Sequence, residues 1–318
     1  MTGNSLRFST NGLAPKDRFS FWREVFGRSI VRLDFESVND IPFQAEATLY
    51  GFDGLGIALG STTGLRSSRT KELLADGADD LIVSITLAGT CRATQSRREL
   101  TIETGEATLL TVADVGSSVY PQSSRILNLR VPRRSLTALV ANPEAAVMQR
   151  VPADTEVLQL LIDYVTMAVS RHSLADVELR RVLGTHVHDL VALMVGATRD
   201  GIEIAGSRGL RMARLNAIKS DIMARLSNEK LSVGEIATRH RMTPRYVQLL
   251  FESEGKTFSE YLVEQRLQRA YRMLTNSVGW TIGSIAFEVG FSNLSYFNRT
   301  FRRRYGMTPS DVREAARR

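Results

Sequence analysis

Residues 281–306 read TIGSIAFEVGFSNLSYFNRTFRRRYG, and their spacing predicts two short helices meeting at a sharp turn. Ile282, Ile285, Ala286 and Val289 share one face of the first helix, at the i, i+3, i+4, i+7 spacing of a buried helical stripe. Gly290 stands in the turn, where a residue without Cβ takes positive φ freely. Ser292 or Asn293 caps the second helix, whose Phe297 and Phe301 point to the core while Ser295, Asn298, Arg299 and Arg302 face out. An αα-corner with a polar, cationic outer face on its second helix is what reading the major groove of DNA requires.

The arrangement also occurs upstream, in LSVGEIATRHRMTPRYVQLLFESEG at 231–255. Ser232 and Glu235 have the spacing of a capping box, and Ile236 and Ala237 face inward, the small Ala237 letting a second helix cross closely. Thr243 and Pro244 supply a hydroxyl cap and a proline at the first helical position; Val247, Leu250 and Phe251 form the core stripe that follows. Thr257 and Glu260 form another capping box, and Phe258, Leu262, Leu267, Ala270, Tyr271 and Leu274 predict a helix from about Phe258 to about Asn276. At about 1.5 Å per residue it spans roughly 28 Å, comparable with the roughly 34 Å between successive major-groove faces. One domain can therefore carry two recognition helices into neighbouring grooves. A plain all-α bundle does not account for two corners that each end in an exposed polar helix.

On these stretches, with GKTFSEYLVEQRLQRAYRML between them and IGSIAFEVGFSNLSYFNRTFRRRYGMTPSDVR at the end, the segment from about Arg211 to Arg318 resembles the DNA-binding domain of the AraC/XylS family of bacterial transcription regulators. The resemblance implies base-edge contacts by Arg245, Gln248 and Leu249 in the first recognition helix, and by Leu294, Ser295, Asn298 and Arg299 in the second. Arg can bind guanine, and Gln adenine, with two hydrogen bonds, whereas the leucines offer only apolar contact, such as to a thymine methyl. Arg302, Arg303 and Arg304 either neutralise phosphates or form a solvated helix end. Arg241 stands in the first turn, where many family members have glycine; if that turn needs positive φ, it costs about 1 kcal/mol or more. The resemblance further implies double-stranded promoter DNA as partner, a homodimer, and contact with RNA polymerase if the protein is an activator.

Charge agrees with this division. Residues 211–318 carry 19 Lys+Arg against 10 Asp+Glu, while residues 1–210 carry 22 against 24, so the C-terminal part is the one suited to a polyanion. A length of 318 residues with 43% apolar content suits two or three cores, and Gly201, Gly206, Ser207 and Gly209 mark a linker at 201–210. No run approaches the roughly 20 apolar residues of a membrane helix, and no basic-then-apolar leader opens the chain, so the expectation is a bacterial cytoplasmic protein without membrane partners. One cysteine and four histidines predict neither a disulfide nor a metal site, and no cofactor is expected.

From Pro42 to Pro132 the pattern changes to short alternating runs: FQAEATLYGF, LGIALGSTT, DLIVSITLAG, CRATQSRRELTI, EATLLTV and RILNLRV, with glycines 51, 54, 56, 60, 64, 89 and 105 as corners. These predict strands of a cupin-like small β-barrel at about 42–132, which resembles the sensory barrels of AraC-like regulators. It either encloses a small-molecule effector or is filled by its own side chains. Helices over about 133–198 follow, one with Val157, Leu160, Leu161, Tyr164, Val165 and Ala168, the other with Val182, Leu183, His186, Val187, Leu190, Val191 and Met194. They either pack on the barrel or pair two subunits; we favour a dimer interface at Val182, Leu183, Val187, Leu190, Val191 and Met194. The fold class is therefore α+β in two domains, a sensory and dimerisation domain at 1–200 and an all-α DNA-binding domain at 211–318.

Other residues receive plainer readings. His186 and His188 point to different sides of a helix, and Cys91, lacking a Cys–His pair, reads as a buried strand cysteine. Arg130 and Arg134 have a spacing used by some cyclic-dinucleotide receptors, without the accompanying Asp/Asn-x-Ser-x-x-Gly element, and are the weak effector candidates. No nucleophile–base constellation or ligand cluster is found, so no catalytic residue is assigned. The competing functions are a regulator governed by protein partners instead of a ligand, and a DNA-directed enzyme such as a cysteine methyl acceptor.

Overall fold

The computed structural model describes residues 5–38, 41–52, 54–170, 177–196, 209–276 and 279–317, in two compact units, Met1–Ala213 and Arg214–Arg318. In the first unit, β1 (Ser5–Ser9), β3 (Ala45–Phe52), β4 (Leu55–Thr62), β11 (Ser124–Val131), β6 (Leu81–Ala88), β9 (Ala107–Thr111) and β12 (Arg150–Val151) form one sheet in that order. The second sheet is β2 (Asp34–Ser37), β5 (Leu65–Arg69), β10 (Gly116–Tyr120), β7 (Cys91–Gln95) and β8 (Arg98–Ile102). All named strand pairs are antiparallel. Strands thus lie on both sides of the 42–132 stretch, in segments too short to display alternation. Gly51, Gly56 and Gly60 sit inside β3 and β4 and not at corners; a Cβ on Gly60 would come within 2.5 Å of the Glu46 carbonyl on the next strand.

The register of β11 separates two environments. Leu127, Leu129 and Val131 share a face with Ile57 and Val83, all at most 2% exposed. The other face carries Asn128, paired with Ala58 of β4 and Ser84 of β6, and Ile126, paired with Gly60 and Thr86. Tyr120 of the second sheet hydrogen-bonds Ser84, so this small and polar face is the interior one. Helix α1 (Pro15–Phe21) continues into a wider helical segment, Trp22–Val31, whose Trp22 stacks on Phe26 at 4.3 Å between ring centres.

Helices α2 (Arg133–Thr137), α3 (Glu156–Ser170) and α4 (Val177–Met194) follow, with α4 packed on α3, α2 and β3. Of the stripe read as a dimer interface, Leu183, Val187, Leu190 and Val191 are buried within the chain, and Val182 and Met194 are half-buried. Periodicity reports that a helix face is covered; here the cover belongs to the same chain.

The second unit begins within α5 (Arg211–Ala224) and holds α6 (Val233–Arg239), α7 (Pro244–Glu252), α8 (Phe258–Asn276), α9 (Ile282–Glu288), α10 (Leu294–Tyr305) and α11 (Pro309–Arg317). It has two cores. The first half of α8 gives Phe258 and Leu262 to a cluster with Ile218, Ile236, Val247 and Phe251, and its second half gives Leu267, Ala270 and Leu274 to one with Ile285, Phe297 and Phe301. The long helix is thus a shared wall between two corner units.

Candidate nucleic-acid interface

Side-chain caps fix the start of each short helix. Ser232 Oγ accepts from the Glu235 N–H at 3.3 Å, Thr243 Oγ1 from Tyr246 at 3.2 Å, Thr281 Oγ1 from Ser284 at 3.0 Å and Asn293 Oδ1 from Tyr296 at 2.8 Å. Of the two candidates at 292–293 for the cap of the second helix, the cap is therefore Asn293. The Ser232 box is one-sided, because the Glu235 carboxylate accepts from the Asn228 amide. The Thr257–Glu260 box is complete: each backbone N–H donates to the other's side chain, at 2.7 and 3.2 Å.

The two turns solve one problem with different residues. Arg241 has φ +52° and Gly290 has φ +93°. At Gly290 a Cβ would stand 2.5 Å from the Leu226 carbonyl and 2.8 Å from Arg266 Nε. Arg266, buried on α8, donates Nε–H to Leu226 O at 3.2 Å and an Nη2–H to Asn228 O at 2.7 Å, closing the end of α5 behind the second turn. Burial pushes its basicity below that of a free guanidinium.

The outside of the second helices is mainly polar or cationic, with Leu249 and Leu294 exposed among those residues. On α7, Arg245 and Leu249 are exposed and Gln248 is half-buried, one face by i, i+3, i+4 spacing. On α10, Leu294, Ser295, Asn298, Arg299 and Arg302 are all exposed, and Arg299 lies 5.7 Å from the centre of the Tyr296 ring. The arginine run divides. Arg304 donates to Glu264 of α8 at 3.1 Å, and Glu264 also accepts from Lys256 at 2.6 Å, a pairing that holds its carboxyl below the ordinary range. Arg302 and Arg303 form no ion pair among the described residues.

The first unit contains a cavity of about 1100 Å³ between its sheets and the Trp22–Val31 segment. Its lining includes the aromatic Trp22, Phe26 and Phe35 and the small Ala47, Ala58 and Gly60. The buried Arg69 donates from each of its three nitrogens: Nη2–H to Asp76 at 2.6 Å, Nε–H to Val112 O at 3.1 Å and Nη1–H to Arg32 O at 3.1 Å. That guanidinium and the Ala78 N–H hold the Asp76 carboxyl down at about 2.

A family profile described as an AraC-binding-like domain matches residues 22–195, more than half of the chain, and one described as a helix-turn-helix domain matches residues 236–315. The chain belongs to the AraC/XylS family of transcription regulators. It is 32% identical over 222 residues to the transcriptional activator RhrA of Rhizobium meliloti (strain 1021), covering 69% of each protein. Similarity to the transcriptional activator NphR of a Rhodococcus species is 25% over 247 residues, covering 76% of this chain and 71% of that one. The crystal structure of the AraC-like transcriptional activator CuxR shares the fold, with a TM-score of 0.53 over 90% of this chain and 99% of that one at 19% identity. This AraC-family protein is accordingly a DNA-binding transcription regulator, with its helix-turn-helix profile on the two-corner unit.

Several sequence readings of the regulator take definite positions. Arg130 lines the cavity with its guanidinium paired to Asp80, whereas Arg134 is exposed on α2 and lies outside the lining. His186 Nδ1 meets the Tyr164 hydroxyl at 2.8 Å and His188 Nε2–H donates to Gly54 O at 2.7 Å. Cys91 lies on β7 at 1% exposure, and burial pushes its thiol up to about 11, leaving it protonated near neutral pH. Trp22, Thr62 and Asn128 were not singled out in the sequence, yet each puts a buried polar atom without a protein partner beside the cavity. Asn128 is the legible one, a lone amide among the apolar residues of RILNLRV.

Proposed function

We propose that the regulator is an effector-responsive activator that binds promoter DNA as a dimer, with α7 and α10 reading base edges in successive major grooves. The observation that carries the DNA half is the pair of capped corners on α8, each presenting an uncovered second helix: Arg245, Gln248 and Leu249 on one, Leu294, Ser295, Asn298 and Arg299 on the other. Arg302 and Arg303 then contact phosphate. The names of RhrA and NphR support activation, which would act through RNA polymerase in the cytoplasm. A homodimer would use a surface other than the α4 stripe. The domain boundaries proposed for these roles are 1–200 and 211–318.

A footprint on a promoter that the protein protects tests the DNA half. Arg299→Ala should weaken specific binding by about 1 to 3 kcal/mol and relax one base position. An unchanged footprint at unchanged affinity overturns the assignment of α10. The effector half rests on the cavity, and a thermal-shift screen of metabolites tests it, because a ligand bound only by the folded protein raises Tm.

A further inference from the structure

The cavity carries more than an invitation to a ligand. Among the described residues of the first unit, the buried side-chain polar atoms without a partner are Trp22 Nε1, Thr62 Oγ1 and Asn128 Oδ1, and all three residues line it. Trp22 is 3% and Thr62 4% exposed, so water outside the protein does not satisfy them. A buried polar atom left without a partner is costly, and a group of them around one cavity marks where a bound molecule is to supply hydrogen bonds.

Each charged side chain on the cavity wall already has an ion-pair partner, with Arg32 and Arg69 sharing Asp76. Asp76 is held by Arg69 and, at 3.3 Å, by Arg32; Arg130 is paired to Asp80; Glu46 is paired to Arg7 at 3.6 Å. An ammonium entering here would lie unpaired, and a carboxylate or phosphate would have to compete with Asp76 or Asp80 for their arginines, at a desolvation cost. The shape of the walls adds a second constraint. The rings of Trp22, Phe26 and Phe35 stack in series, at 4.3 and 6.1 Å between centres, and the strands lining the same cavity offer residues as small as Ala47, Ala58 and Gly60.

We propose, resting on the effector reading above, that the cavity takes an uncharged, flat and mainly apolar small molecule with a hydrogen-bond acceptor for the Trp22 N–H, a donor for Asn128 Oδ1, and a third polar contact at the Thr62 hydroxyl. The test is calorimetry on the full-length protein with two probes of one shape, 2-naphthamide and 2-naphthoate. The amide should bind saturably, and the carboxylate about tenfold more weakly or worse, the step that a charge penalty of about 1.4 kcal/mol produces. Thr62→Val and Asn128→Leu should each weaken the amide by about threefold to tenfold. Each should also raise the Tm of the ligand-free protein, since each removes an unpaired polar atom. Carboxylate binding as tight as the amide's, amide binding indifferent to both substitutions, or no saturable amide binding overturns the assignment. Where the carboxylate is preferred, a cavity effector stands and only its class falls; the effector reading itself falls when the metabolite screen also gives no Tm shift.

Discussion

At the scale of single residues, the two turns differ in how much they tolerate. Gly290 combines φ +93° with backbone and guanidinium atoms closer than 3 Å to where a Cβ would stand, so neither rotation nor a small shift relieves the clash. Gly290→Ala should lower stability by about 2 kcal/mol or more, read as a shift in urea midpoint, whereas Arg241→Gly should be neutral or raise it by up to about 1 kcal/mol. Arg241 is exposed, so a glycine there relieves a left-handed residue and disturbs no packing. A Gly290→Ala loss no larger than the Arg241→Gly gain would mean that φ alone, without close approach, sets the cost at Gly290. The sequence makes both turns visible, one by its glycine and the other by an arginine where the family resemblance leads one to expect glycine. It does not reveal Arg266, because an arginine on a helix reads as a solvated face until its acceptors, the Leu226 and Asn228 carbonyls, are brought next to it by tertiary packing.

At the scale of elements, local signals served where they are strong. The connector predicted over about Phe258–Asn276 is α8, Phe258–Asn276, because a complete capping box fixes its start and its apolar stripe is buried by two cores at once. Strands β5 (LRSSR) and β10 (GSSVY) gave no readable signal. Their inward positions include Ser67, Arg69 and Ser118, so a polar interior removes the alternation on which strand reading depends. CRATQSRRELTI likewise reads as one run but is the hairpin β7–β8, turning at Ser96 and Arg97, both at positive φ without glycine. Helix α4 is joined to the β3–β4 turn through His188, whose imidazole burial pushes toward the neutral form, opposed in part by the Gly54 carbonyl and Asp189. With its folded-state value lowered, the unfolded chain binds the extra proton first. The stabilisation is complete above about 6.5 and is lost as pH falls through the lowered value. Urea midpoints measured from pH 8 to pH 5 should therefore fall on the acid side in the wild type and fall less in His188→Gln; parallel curves would remove His188 as the cause.

At the scale of the whole molecule, the sign of charge separates the two parts of the chain more sharply than any single motif, with 19 cationic against 10 acidic residues in 211–318 and near balance in 1–210. Net charge alone does not say which cations meet phosphate, and the α10 run shows why, since of three adjacent arginines only Arg304 has an ion-pair partner among the described residues. Arg304 is tied to Glu264, which Lys256 also holds, so it serves to fasten α10 to α8. Arg302 and Arg303 carry exposed guanidinium groups on the same helix as Arg299 and Asn298. Each phosphate neutralised contributes about 0.9 to the slope of log affinity against log salt concentration. Arg302→Ala and Arg303→Ala should therefore each flatten that slope by roughly one and weaken specific and non-specific DNA alike. Arg304→Ala should leave the slope nearly unchanged and act through stability, by the at most about 1 kcal/mol typical of an exposed ion pair. Titrations at several salt concentrations with an operator fragment and a scrambled duplex distinguish these outcomes. A slope flattened by Arg304→Ala but not by its two neighbours would mean that the Glu264 pair opens on DNA, and that α10 meets the backbone with its last turn and not along the face carrying Arg299.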